Sequence, residues 1–334
     1  MCLNVMKLAR CIYCLMFALV GVSCSDAIDL GQPTIDVSSF DVESEYIIVM
    51  GDIQEYTYND CYQPYLEFTM QWIYAAVDAG MAVNCVLQTG DITSDNSRGQ
   101  WRTFEKYTEP VAKLVPFVAC IGNHDYDWND KSKIESRNDT RFSKYVTFSK
   151  AKAQVVARYE KGKMENVVVR NMIFGDYYDI LVLEYGARDK VVEWANNHLR
   201  ANPEKRFILL THEFLTRDGE IISDGSYAEK QLLNTSWNSP QQLWDKLVKC
   251  NDNIMCVVCG HNGFSKVRFA TNEAGREVPQ ILFNLQYQEN GGDGLVEIWE
   301  MAQNSDSISV GVYNTIRNEW IDSPDTSFKF RYKY

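Results

Sequence analysis

The sequence predicts an α/β fold, a four-layer αββα sandwich of two mixed β-sheets flanked by helices. Three observations predict it. From Tyr46 onward short apolar runs alternate with amphipathic stretches, polar turns rich in glycine close several of those runs, and helical spacing disappears after His261. The 334 residues, 46% hydrophobic and 13% aromatic, suffice for a large core, and the composition excludes a disordered chain.

Tyr46 to Met50 reads as a short buried strand. Pro64 to Ala79 carries Leu66, Met70, Ile73 and Val77 at helical spacing and is closed by Gly80. Val83 to Gln88 is a second strand, Gln100 to Leu114 a second helix and Phe117 to Ile121 a third strand. That βαβαβ order predicts parallel pairing with helices packed on the sheet. Arg137 to Asn166 is charged and reads as mostly helical. Tyr178 to Glu184, Phe207 to Thr211 and Ile254 to Cys259 read as strands, with helices at Lys190 to Arg200 and Pro240 to Lys249. The last strands, Lys266 to Ala270, Gln280 to Leu285, Leu295 to Glu300 and Ile308 to Tyr313, are expected to form the second sheet, packed on the first.

Lys7 and Arg10 flank an uncharged apolar run from Cys11 to Val22, and the small residues Gly21 and Ser23 precede Cys24. This is the pattern of an export signal over residues 1–23, and the run is too short to span a bilayer comfortably. Val20-Gly21-Val22-Ser23-Cys24 resembles a bacterial lipobox, with Gly21 where a larger apolar residue is usual. Cys24 would then be the lipidated mature N-terminus; cleavage without a lipid is the other reading. Residues 24–44 are expected to be a polar tether and 45–334 a single domain. The expected location is outside the cytoplasm, periplasmic or as a lipoprotein at the outer membrane or cell surface, with membrane contact through the lipid alone.

The net charge is −12, and removing residues 1–23 takes away two basic residues and no acids. Such an acidic chain is a poor non-specific binder of nucleic acid or anionic membrane, while a small phosphate ester remains compatible with it. Ten cysteines suggest a disulfide framework until they are placed. Four fall in the leader or at its end, and Cys85, Cys120, Cys256 and Cys259 lie in apolar strand runs, where buried thiols are expected.

Catalytic groups in open α/β sheets collect beyond the carboxyl ends of strands. Here those ends carry Gly51-Asp52-Ile53-Gln54, Gly90-Asp91 with Asp95 nearby, Gly122-Asn123-His124-Asp125, Thr211-His212-Glu213 and Gly260-His261-Asn262-Gly263. Of only four histidines, three sit at strand ends and His198 lies in a helix. Carboxylates, an amide oxygen and imidazoles suit divalent Mn, Fe or Zn. Two such ions about 3.5–4 Å apart can clamp a phosphoryl group and activate water.

In this order the motifs resemble those of the calcineurin-like metallophosphoesterases, over Tyr46 to about Gly263. The resemblance implies a phosphoric mono- or diester hydrolase in which Asp91 bridges two metals. Asn123, His212 and His261 would complete one site, and His124 would be the general acid, with Asp95 a candidate to orient it. The other site departs from the pattern. Gln54 replaces the histidine of Asp-x-His, Gly263 replaces the last histidine of Gly-His-x-His, and Ser94 stands where an acid is usual. Asp52 and Gln54 would hold a hard ion such as Mg or Ca there. Asn290-Gly291-Gly292-Asp293-Gly294 resembles a turn found in a branch of the family that shares both replacements, which makes Asn262, Asn290 and Asp293 candidate substrate contacts. The same turn also reads as an ordinary hairpin. The two replacements keep a second function in play, an exported metal-binding protein on this fold without turnover.

Overall fold

The computed structural model describes residues 29–35, 39–129, 132–147, 153–223, 225–233, 235–323 and 326–333. The expected leader and Cys24 lie outside the described residues. The chain opens with β1 (Glu45–Met50), α1 (Gln54–Tyr58), α2 (Gln63–Asp78), β2 (Ala82–Gln88), α3 (Arg98–Ala112) and β3 (Phe117–Ala119). Next come α4 (Phe142–Tyr145), β4 (Val155–Arg158), β5 (Val167–Val169), β6 (Met172–Ile173), β7 (Asp176–Val182), α5 (Asp189–Arg200) and β8 (Arg206–Leu210). Then follow α6 (Tyr227–Gln231), α7 (Pro240–Leu243), β9 (Ile254–Cys259), β10 (Phe264–Thr271) and β11 (Glu277–Asn284). The last strands are β12 (Leu295–Met301), β13 (Ser307–Asn314), β14 (Glu319–Ile321) and β15 (Phe328–Arg331).

Two mixed sheets result. One runs β14-β13-β12-β1-β2-β3, with β15 also on β13; the other runs β10-β11-β9-β8-β7-β5-β4, with β6 on β7. The parallel pairings β1–β2 and β2–β3 are those the βαβαβ order predicts. Strand alternation divides the core into two layers. In β8, Ile208 and Leu210 join the large cluster that includes Ile47, Ile48 and Val86 of the other sheet. Phe207 and Leu209 point the opposite way, onto Val191, Ala195 and Leu199 of α5 and Leu243 and Leu247 at α7 and the turn after it. Leu66 and Ile73 of α2 and Trp101 of α3 are fully buried in the first cluster, so the order of layers is α, β, β, α as the sequence predicts. The thiols of Cys85, Cys120, Cys256 and Cys259 are buried and unbridged.

Three expectations are corrected. The strands after His261 do not make a sheet of their own: β10 and β11 extend the sheet of β9, while β12 and β13 return to β1, Glu45 pairing with Met301 and Val49 with Glu297. A strand's periodicity records which faces are buried and carries no information on which neighbour it pairs with. The segment from Arg137 to Asn166 is not mostly helical. Its only helix among the described residues is α4, and β4 pairs antiparallel with β5, where the β-branched run Val167-Val168-Val169 favours strand. Arg137 is held by the carbonyls of Tyr185, Gly186 and Ser236, which its guanidinium reaches at 2.6–3.0 Å. Part of the expected tether is docked: the Phe40 ring packs edge-on against Tyr46, Trp72 and Tyr313 at 5.5–5.9 Å. Among the described residues, no helix is long and apolar enough to cross a membrane.

Glu297 is a fully buried acid on β12. Its Oε1 accepts from Trp299 Nε1 at 2.6 Å, and its Oε2 has no donor among the described residues. Burial pushes its pKa from 4.5 up to about 8, with the Trp299 bond pulling the other way. The unfolded chain ionises this group first, so stability is expected to fall as pH rises from about 4.5 through about 8. In Glu297→Gln that component is absent, and denaturant unfolding at pH 5 and pH 9 should show a smaller loss than in the parent protein. An unchanged loss would refute the buried-acid assignment.

Candidate metal centre

The loops after β1, β2 and β3 meet the loops after β8, β9 and β11 at one rim between the sheets. Asp91 follows β2 with a left-handed backbone, φ 50°, and His261 follows β9 at φ 67°. Such conformations persist only where the surroundings over-determine them. Gly122 has to be glycine: a Cβ there would stand 2.2 Å from both the backbone nitrogen and Oδ1 of Asp91. That close approach lets the His124 backbone N–H donate to Asp91 Oδ1 at 2.9 Å.

Four loops then bring candidate ligand atoms together. Asn123 Oδ1 lies 3.0 Å from both His212 Nε2 and His261 Nδ1; those two nitrogens are 3.1 Å apart, and His212 Nε2 is 3.3 Å from Asp91 Oδ1. His212 Nδ1 donates to the Thr89 carbonyl at 2.8 Å, which turns Nε2 toward the other three atoms. Asp91, His212 and His261 offer ligand atoms all within 4.8 Å of one another. This set of a carboxylate, an amide oxygen and two imidazole nitrogens fits a divalent Mn, Fe or Zn ion.

The charges of these groups are coupled. Burial disfavours a charged His212, but the Asp91 and Asp52 carboxylates more than reverse this and lift its pKa to about 10. His261 is driven down to about 3, by burial first and then by the charge on His212. Asp91 is held below the ordinary carboxylate range: burial works against this, and the neighbouring histidines outweigh it.

His124 stands on the cavity wall beside these groups, and its Nδ1 bonds the Ser94 carbonyl at 2.8 Å. That corrects the expected role of Asp95. The Asp95 carboxylate is exposed and accepts from Ser97 N at 3.1 Å, one residue before α3, so a main-chain oxygen orients His124 instead. Gln54 and Asn262 both line the cavity; the Asn262 side chain donates to the Leu215 carbonyl at 2.7 Å. Asn290 and Asp293 do not line it. Their side chains bond one another, and Asp293 also bonds Asn314 and Arg317. The glycine-rich turn is a crossover from β11 in one sheet to β12 in the other, not a hairpin. It packs on α1, where the Gly294 N–H donates to Tyr56 Oη at 3.1 Å.

Several residues escaped sequence reasoning. Asp125 is fully buried and accepts from Gly122 N, Ile92 N, Thr93 N and Thr93 Oγ1, locking the Asp91 loop to the Asn123-His124 loop. Its place beside His124 was the available signal. Glu213 follows His212 and accepts from Tyr227 N at 2.7 Å and Ala228 N at 3.3 Å, which holds the Tyr227 ring 4.5 Å from His261. Trp128 lies 4.6 Å from the His124 ring. Nothing in the local sequence marks Trp128, Tyr227, Phe264 and Tyr287 as walls of one cavity.

Residues 46–278 match the calcineurin-like phosphoesterase family. The chain belongs to that family. The uncharacterized protein YvnB of Bacillus subtilis is 24% identical over 278 residues, which cover 79% of this chain and 19% of that protein. A probable inactive purple acid phosphatase 9 of Arabidopsis thaliana is 37% identical over 82 residues, covering 20% of this chain and 12% of its own length. The chain thus spans about a fifth or less of these curated relatives. Among solved structures, vacuolar protein sorting 29 from Cryptosporidium parvum is similar at 13% identity with a TM-score of 0.34, covering 86% of this chain and 98% of its own. A serine/threonine phosphatase from Saccharomyces cerevisiae is similar at 12% identity with a TM-score of 0.32, covering 89% and 87%.

His212→Ala and His261→Ala are each expected to abolish divalent-metal retention while leaving the circular dichroism spectrum unchanged. Full metal content in both variants, measured by elemental analysis, would overturn the ligand set.

Proposed function

We propose that this chain is a metal-dependent hydrolase of small phosphate esters, with His124 as general acid. The observation that carries this reading is the convergence of Asp91, Asn123 and His261 with the buried His212, beside His124, at one cavity of about 750 Å³. Those four residues would hold a divalent ion, which when bound would supply Lewis acidity to a phosphoryl oxygen and lower the pKa of water. The remaining work belongs to side chains. With Nδ1 committed to the Ser94 carbonyl, His124 gains and loses its proton at Nε2, the position from which a leaving oxygen is protonated. The Trp128 ring against His124 limits its rotation and excludes water. Arg217 is the one Lys or Arg among the residues lining the cavity, and its guanidinium sits 4.3 Å from the Phe264 ring centre, set to meet phosphate charge. The rings of Trp128, Tyr227, Phe264 and Tyr287 offer flat apolar walls to the organic part of the ester.

Metal binding without turnover is the second reading, supported by the lost imidazoles at positions 54 and 263 and by the word inactive in the names of the Arabidopsis relatives. Hydrolysis assays with mono- and diester substrates under Mn, Mg, Zn and Ca separate the two. His124→Ala is expected to lower kcat by about 10²–10⁴-fold with metal content unchanged. Equal loss of metal and activity would remove His124 from the role of acid, and a metal-loaded parent that hydrolyses no ester would favour the binder. We also propose export through residues 1–23, with Cys24 lipidated. Mass spectrometry of the exported protein should find a lipid on Cys24, and an unmodified N-terminus excludes it.

A further inference from the structure

The metal centre described above fills one half of the two-ion arrangement that the family resemblance implies. The other half would centre on Asp52, and its geometry is of a different kind. Both Asp52 oxygens are already engaged by protein donors. Oδ2 accepts from Asn284 Nδ2 at 2.6 Å, His261 N at 3.1 Å and Gln286 Nε2 at 3.4 Å, while Oδ1 accepts from Thr89 Oγ1 and His261 N, each at 3.2 Å. A carboxylate has about four lone-pair positions, so little is left for a cation. Asp52 also lies on the wrong side of His212, with its Oδ1 4.0 Å from Nδ1, the nitrogen committed to Thr89, rather than near Nε2.

One of the two imidazole positions is occupied as well. A Cβ on Gly263 would stand 2.2 Å from Cδ2 and 2.7 Å from Cε2 of Tyr287, so a histidine there requires the tyrosine ring to leave. Asn284, Gln286 and Tyr287 all come from β11 and the residues after it; the first two hold Asp52, and the third stands beside Gly263. What remains is neutral: Gln54 Oε1 and Gln286 Oε1 are buried oxygens without a donor among the described residues.

We infer that this chain holds one divalent ion rather than two, and that Asp52 is a positioning residue that anchors the His261 main chain instead of a metal ligand. The inference rests on the metal-centre reading above, and the experiment separates the two. Metal-stripped protein is titrated calorimetrically with Mn, Zn, Mg and Ca, and ion content after loading is checked by elemental analysis. One ion per chain is expected in the parent protein and also in Asp52→Asn under saturating metal, and the Mn-loaded protein should give the electron paramagnetic resonance spectrum of an isolated ion without the coupling of a pair. Two ions in the parent, falling to one in Asp52→Asn, would overturn the inference while leaving the centre intact. So would a second Mg or Ca ion that disappears in Gln54→Ala or Gln286→Ala. A folded parent that binds no ion would defeat the centre itself, and the inference with it. The count in the parent decides the matter even where a variant does not fold.

Discussion

A carboxylate, an amide oxygen and two imidazole nitrogens gathered from four loops, each atom 3.0–3.3 Å from a neighbour, are the constraint on which the rim of this molecule is built. Gathering a buried carboxylate and two imidazoles away from water is costly, so the scaffold has to hold them in place. Asp125 ties two of the loops together through four hydrogen bonds, Thr89 fixes the tautomer of His212, and Asp52 anchors the main chain of His261. Each of these supports is buried, where a hydrogen bond cannot be exchanged for water.

The two sheets explain why such a cluster can exist. Asp91 and Asn123 come from loops of one sheet and His212 and His261 from loops of the other, so the packing of sheet on sheet sets the distances between them. A single sheet would space its strand ends about 4.8 Å apart in a row and could not close a cage. The return of β12 and β13 to β1 makes the β11–β12 crossover necessary, and that crossover presses on α1, which begins at Gln54, two residues after Asp52. The turn chemistry of Asn290 and Asp293 thereby serves the site from outside it.

Much of this was legible in order of strength. Helices such as α2 and α5 and strands such as β8 and β9 carry their periodicity in their own residues, and the polar residues at strand ends stand out because glycine and a polar side chain interrupt apolar runs. Asp95 is a candidate to orient His124 only because the family resemblance implies an acid one position earlier, at Ser94, whereas the structure uses the Ser94 carbonyl, a group that every residue has and no sequence can single out. The cavity walls were illegible for a related reason. Trp128, Tyr227, Phe264 and Tyr287 lie in four separate segments, and only packing makes them neighbours.

By itself, then, the sequence determined the fold class, the parallel opening unit and which polar residues interrupt apolar runs at the strand ends, because local periodicity and side-chain chemistry are properties of short stretches of chain. Tertiary structure alone decided which strands pair after His261, which residues surround Asp52, and that Tyr287 fills the space beside Gly263. Those are contacts between residues far apart in the chain, and they exist only once two sheets have chosen their faces and registers.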